Sequence, residues 1–131
     1  MKNSILSLIA IFIASFTISG QLTAQSWTNL GSAKVNGYVD HDQILVTAME
    51  GDFTAIKLFV ENEGIQFERV VVTFGNGGKE EMILRDFIPA GGETRVMDLR
   101  GRDRVIRKVD FYYKSNPNTK KKAKVVLFGR R

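Results

Sequence analysis

AGGETRVMDLRGRDRVIRKVDFYY, residues 90–113, reads as a glycine turn, a short strand, an arginine-rich corner and a long strand. Gly91-Gly92 makes the turn, Arg95 to Leu99 the short strand, and Arg100-Gly101-Arg102-Asp103-Arg104 the corner. In the strand that follows, Val109, Phe111 and Tyr113 share one face by the two-residue period of a β-strand, while Ile106 is off that parity by one. A β-bulge near Arg107-Lys108 reconciles the two sets.

Working outward, the same grammar recurs. Ile65 to Phe74 is a second long strand with a parity break: Ile65 and Phe67 share one face, and Val70, Val72 and Phe74 the other. That predicts another bulge, near Glu68-Arg69. Gly75-Asn76-Gly77-Gly78 carries the Asn-Gly pair of a two-residue type I′ hairpin, so Met82 to Leu84 folds back on Val70 to Phe74. Pro89 has no N–H to donate and belongs at a strand end or edge. Upstream, Ile56, Leu58 and Val60 alternate with Lys57, Phe59 and Glu61, Ile44, Val46 and Ala48 form an alternating set, and residues 35–39 make a first strand. Downstream, Ala123, Val125 and Leu127 alternate in the last strand, after the loop around Asn116-Pro117-Asn118. Beyond the first 24 residues no window shows helical apolar spacing. The fold class is all-β: a single antiparallel β-sandwich of jelly-roll type with about eight strands.

Residues 1–24 read as a signal peptide. One lysine, Lys2, precedes an apolar run from Ile5 to Ile18, and Leu22-Thr23-Ala24 offers the small-residue cleavage site before Gln25. The run is shorter than the ~20 apolar residues of a membrane-spanning helix. No integral membrane span is expected in the mature chain, residues 25–131, which forms one domain that is periplasmic or extracellular. There is no cysteine, so neither a lipid attachment site nor a disulfide is available, and the fold must rest on burial alone.

The pattern Trp27, Leu30-Gly31, Asp40-x-Asp42-x-Ile44-x-Val46, then Gly91-Gly92-x-Thr94-Arg95-x-x-Asp98-Leu99-x-Gly101-x-x-Arg104-x-Ile106-x-x-Val109-x-Phe111-x-Tyr113 resembles a family of small exported bacterial domains of uncharacterised function. The likeness covers nearly the whole mature chain. It implies a β-sandwich and brings no established active site.

Catalytic and metal chemistry find little to work with. His41 is the only histidine, which with no cysteine rules out a zinc site of the usual His and Cys ligands within one chain. No serine sits in a nucleophile elbow. Asp40, Asp42, Glu50 and Asp52 supply oxygens of the kind Ca²⁺ takes, but without EF-hand spacing, and turn capping accounts for Asp40 and Asp42. Gly75 to Gly78 before Lys79 lacks P-loop spacing and is followed by no helix. No cofactor and no metal is expected. Asp98 and Asp110 are candidates for a carboxylate pair, although Asp98 lies where Arg95 or Arg104 can hold it structurally.

The remaining bias is charge. The chain carries a net charge of +5, and the cations concentrate late in the sequence. If the corner and the last hairpin share one end of the sandwich, Arg100, Arg102, Arg107, Lys120, Lys121 and Lys122 form a basic patch for a polyanionic partner. The expectation is an exported, non-catalytic binding module that meets an anionic polymer or an envelope component there. The competing expectation is a carboxylate-based hydrolase of envelope or extracellular glycans using acids of the Asp40 loop.

Overall fold

The structure is a computed structural model, and it describes residues 26–35, 39–116, 118 and 122–131. Among the described residues ten strands build two sheets packed face to face, and every strand pair is antiparallel. The first sheet runs β1 (Trp27–Lys34), β10 (Lys124–Arg130), β4 (Ala55–Glu61), β8 (Met97–Asp98). The second runs β2 (His41–Leu45), β9 (Arg104–Tyr113), β5 (Ile65–Phe74), β6 (Lys79–Ile83), with β3 (Asp52–Phe53) also on β9 and β7 (Phe87–Ile88) also on β5. Since β2 and β3 share a partner, as do β6 and β7, the ten strands fill eight places. The chain alternates between the sheets except at the β5–β6 hairpin, which is jelly-roll order.

Burial follows the parity of the sequence. Leu58, Val60, Val125 and Leu127 from one sheet meet Phe67, Val70, Val72, Val109 and Phe111 from the other, all fully shielded from solvent. Burial of each such side chain contributes about 1.5–3 kcal/mol, which is what holds a domain without disulfides. Both expected bulges are present. Phe67 pairs with Tyr113 and Arg69 with Tyr112, so Glu68 is the extra residue, and its carbonyl accepts from both Leu84 N (3.0 Å) and Arg85 N (3.2 Å). Thr73 pairs with Lys108 and Phe74 with Ile106, so Arg107 is the other, and its carbonyl accepts from Val46 N at 2.9 Å. In each case the extra residue turns the following side chains back to the core face.

Several local expectations need correction. The strand expected at 35–39 falls partly outside the described residues, and β1 instead begins at Trp27. Residues Ala48–Glu50 form a 3₁₀ turn rather than the end of an alternating strand. The Asn-Gly hairpin is not type I′: Gly77 N donates to Phe74 O (2.9 Å) and Gly77 has φ 91°, while Asn76 stays out of the positive-φ region. This is a type I turn followed by a left-handed glycine, the three-residue loop solution. The short strand expected over Arg95 to Leu99 is confined to Met97–Asp98.

The pairing register also sorts the loops to two ends. Arg130 sits opposite Trp27 and Ala55, Ala55 opposite Asp98, and Phe53 opposite Arg104. Thr54 N, donating to Arg130 O at 2.7 Å, stitches these together as one end. At the other end Lys124 sits opposite Lys34 and Glu61, and Val35 N donates to Ala123 O at 2.9 Å. The ten residues of β9 separate the two by about 30 Å.

Candidate functional site

The corner after β8 is held by named bonds. Gly101, Arg102 and Asp103 all have positive φ, at 84°, 55° and 26°. Glycine takes this conformation at little cost, but Arg102 and Asp103 are non-glycine residues in a sparsely populated region. The surroundings hold them there. Arg102 N donates to Leu99 O (3.3 Å), Arg100 N donates to Glu80 Oε1 (2.9 Å), and Arg104 donates to Arg100 O (2.8 Å) with its guanidinium stacked 3.7 Å from the Phe74 ring. Arg104 is therefore a brace. Arg100 and Arg102 point outward, the Arg100 side chain 87% exposed with Glu80 Oε2 at 3.8 Å. Exposed Arg107 donates to Gly75 O at 3.0 Å, which sets the β5–β6 hairpin beside the corner.

Of the six cations expected to form one patch, the four described ones divide between the two ends. Arg100, Arg102 and Arg107 belong to the corner end, whereas Lys122 leads into β10 at the other. Lys120 and Lys121 lie outside the described residues. Long-range pairing decides this, and no local spacing in the sequence encodes it. Asp98 is also placed differently from expectation. Its partner is Arg130, at 3.5 Å, while Arg95 lies 3.7 Å from Asp86 and donates to Ile83 O.

The carboxylate of Asp42 in the Asp40 loop has a structural partner. Asp42 Oδ2 accepts from Tyr113 Oη at 2.7 Å, and the Tyr113 phenol is pushed above its usual range by burial first and by Asp42 next. His41 Nε2 lies 2.7 Å from Asp110 Oδ1, and its ring stacks on Tyr112 with centroids 4.3 Å apart. Arg69 lies 3.7 Å from the Tyr112 ring centroid and bonds Glu81 at 2.8 Å. Asp98 on an edge strand of one sheet and Asp110 inside the other do not converge. A cavity of about 250 Å³ opens at the Lys124 end, walled by Val35, Ile65, Phe87, Tyr113 and Ala123, with Glu63 its one carboxylate among the described residues.

A surface that the sequence did not bring forward lies on the outer face of the β1–β10–β4 sheet. Trp27 is opposite Arg130, Phe128 is opposite Lys57, and Phe59 is opposite Val126. Each ring is thus two residues further along than the last, and the three form a diagonal row across three neighbouring strands. Between them is a shallow hollow of about 180 Å³ lined by Trp27, Lys57, Phe59, Glu93 and Phe128. Lys57 bonds Glu93 at 3.1 Å and its ammonium stands 4.4 Å from the Trp27 ring. The signal was present: Phe59 stands on the polar parity of β4 between Lys57 and Glu61, and Phe128 is off the parity of Val125 and Leu127. An aromatic on the solvent parity of a strand is the pattern to look for.

Fold and surface together define a small all-β jelly-roll domain whose distinctive groups lie on its outer faces and corners. Its residues 5–129 match the family model described as a domain of unknown function (DUF2541), and the chain belongs to that family. No curated protein matches it in sequence. Among solved structures it is similar to Pseudomonas aeruginosa AlgX, at 13% identity and a TM-score of 0.52, over 76% of this chain and 26% of that one. It is also similar to the SPBc2 prophage-derived protein YomS (12% identity, TM-score 0.42, over 82% and 94%). A further likeness is to the CBM22-1-GH10 modules of Clostridium thermocellum xylanase 10B (12% identity, TM-score 0.40, over 79% and 26%). Among the described residues no helix is long and apolar enough to cross a membrane.

Proposed function

We propose that the chain is an exported, non-catalytic binding module that holds an anionic polymer through Arg100, Arg102 and Arg107. The observation that carries this reading is the corner's backbone. Arg102 and Asp103 at positive φ beside Gly101 are an uncommon state for non-glycine residues, kept in place by Leu99, Glu80 and Arg104, and it turns Arg100 and Arg102 outward. Arg107 adds a third cation at the hairpin rim. A polyanion meets such a rim at several points, each weak in water and all screened by salt.

The proposal takes the three arginines of the expected six-residue patch, because Lys122 stands at the opposite end. Export rests on the sequence pattern of residues 1–24, with Lys2 before the apolar run from Ile5 to Ile18 and Leu22-Thr23-Ala24 as the expected cleavage site. Retention on a heparin column tests the reading. The double variant Arg100→Glu/Arg102→Glu should elute early, and Lys122→Glu, at the opposite end, should elute with the parent. Equal retention of all three proteins would contradict it.

A further inference from the structure

The solvent face of an antiparallel sheet is ordinarily polar, yet Trp27, Phe128 and Phe59 line up across it with no part of the described chain laid over the hollow between them. We propose that this row is the track for a glycan chain, with successive sugar rings laid on the aromatic rings and their hydroxyls bonded to the charged groups alongside. The site stands apart from the corner arginines and does not depend on them.

The chemistry of the lining selects this occupant. The faces of aromatic rings carry partial negative charge and attract the weakly positive C–H groups on the apolar face of a sugar ring. The polar groups beside the row come in offset pairs, Lys57 with Glu93 at 3.1 Å and Arg130 with Asp98 at 3.5 Å. The hollow thus offers donors and acceptors together with little net charge. Sugar hydroxyls, which both donate and accept, match that lining, whereas a phosphate or an isolated carboxylate would meet Glu93 and an acyl chain would have to desolvate both pairs. Diagonal neighbours across strands stand about 7–8 Å apart, so the row suits a chain of rings better than a single one. A protein partner needs on the order of 800 Å² per side. Three half-buried rings of about 150–250 Å² each in full leave less than half of that.

Trp27 is the only tryptophan in the chain, so its fluorescence reports from the first ring of the row, and the phenylalanine variants separate this site from the corner at the same end. The experiment titrates the folded protein with a neutral β-glucan, a neutral mannan and polygalacturonate while following Trp27 emission. A saturable shift with at least one of the two neutral glycans is expected, and polygalacturonate is the charged comparison that Glu93 disfavours. Phe128→Ala and Phe59→Ala, which keep the reporter and whose side chains face outward, should each weaken binding about tenfold or more. Arg102→Glu should leave the titration with a neutral glycan unchanged, which separates this site from the corner. No emission change with either neutral glycan, whatever polygalacturonate does, overturns the proposal. So does a shift that survives both phenylalanine variants, or an emission that changes with protein concentration alone, the mark of a second copy covering the row.

Discussion

Tyr113 Oη lies 2.7 Å from Asp42 Oδ2, a bond that ties the last residue of β9 to the edge strand β2. Burial, then this bond, then the charges of Asp42 and Asp40 raise the phenol's pKa above the ordinary tyrosine value of about 10. A group raised in the folded state contributes stability that is whole below its unfolded pKa and is lost as pH climbs through the folded one. The melting temperature of the native protein should therefore fall more steeply above pH about 10 than that of Tyr113→Phe. At neutral pH the variant should cost about 1 kcal/mol through the lost bond. Parallel alkaline melting curves would remove Tyr113 from this role.

Gly129 on β10 is buried, and a Cβ there would stand 2.8 Å from both Leu30 Cδ1 and Phe53 Cδ1. Gly129→Ala overpacks the place where β1, β3 and β10 meet and should destabilise by about 1–3 kcal/mol in urea unfolding. A neutral effect would mean that Phe53 moves aside without cost.

His41 has a structural task on the outer face of the second sheet. Removing its ring leaves Asp110, 7% exposed, with Lys108 Nζ at 3.9 Å as its nearest cation. His41→Ala should cost about 1–3 kcal/mol, because a largely buried acceptor loses its short bond. Stability unchanged by the substitution would reopen His41 as a residue kept for chemistry.

Asp98→Ala should change stability by about 1 kcal/mol or less, since the Asp98–Arg130 pair is exposed on the carboxylate side and long at 3.5 Å. A larger loss would restore Asp98 as the fastener of the corner, the role its neighbourhood in sequence suggested.

What the sequence disclosed and what it withheld divide on physical grounds. The bulges at Glu68 and Arg107 were legible because a parity break within one strand is a local property, fixed by which side chains must be buried. The corner was legible from its glycine and its crowd of arginines. The fate of Asp98 was not, because its partner Arg130 comes from a strand 32 residues away. Nor could the sequence tell that Lys122 and Arg102 lie at opposite ends, since that follows from the pairing of β10 with β4. Two-residue strands such as β3, β7 and β8 are too short to show a period. The row of Trp27, Phe128 and Phe59 comes from three strands far apart in the chain, and only their register makes it a row.

The central claim, that Arg100, Arg102 and Arg107 hold an anionic polymer, is tested most directly by measuring affinity for heparin across a series of sodium chloride concentrations. The account predicts a steep linear fall of log affinity with log salt, and a slope reduced by about one when Arg102 is replaced by alanine. An affinity indifferent to salt, or a slope that Arg102→Ala leaves unchanged, would contradict it.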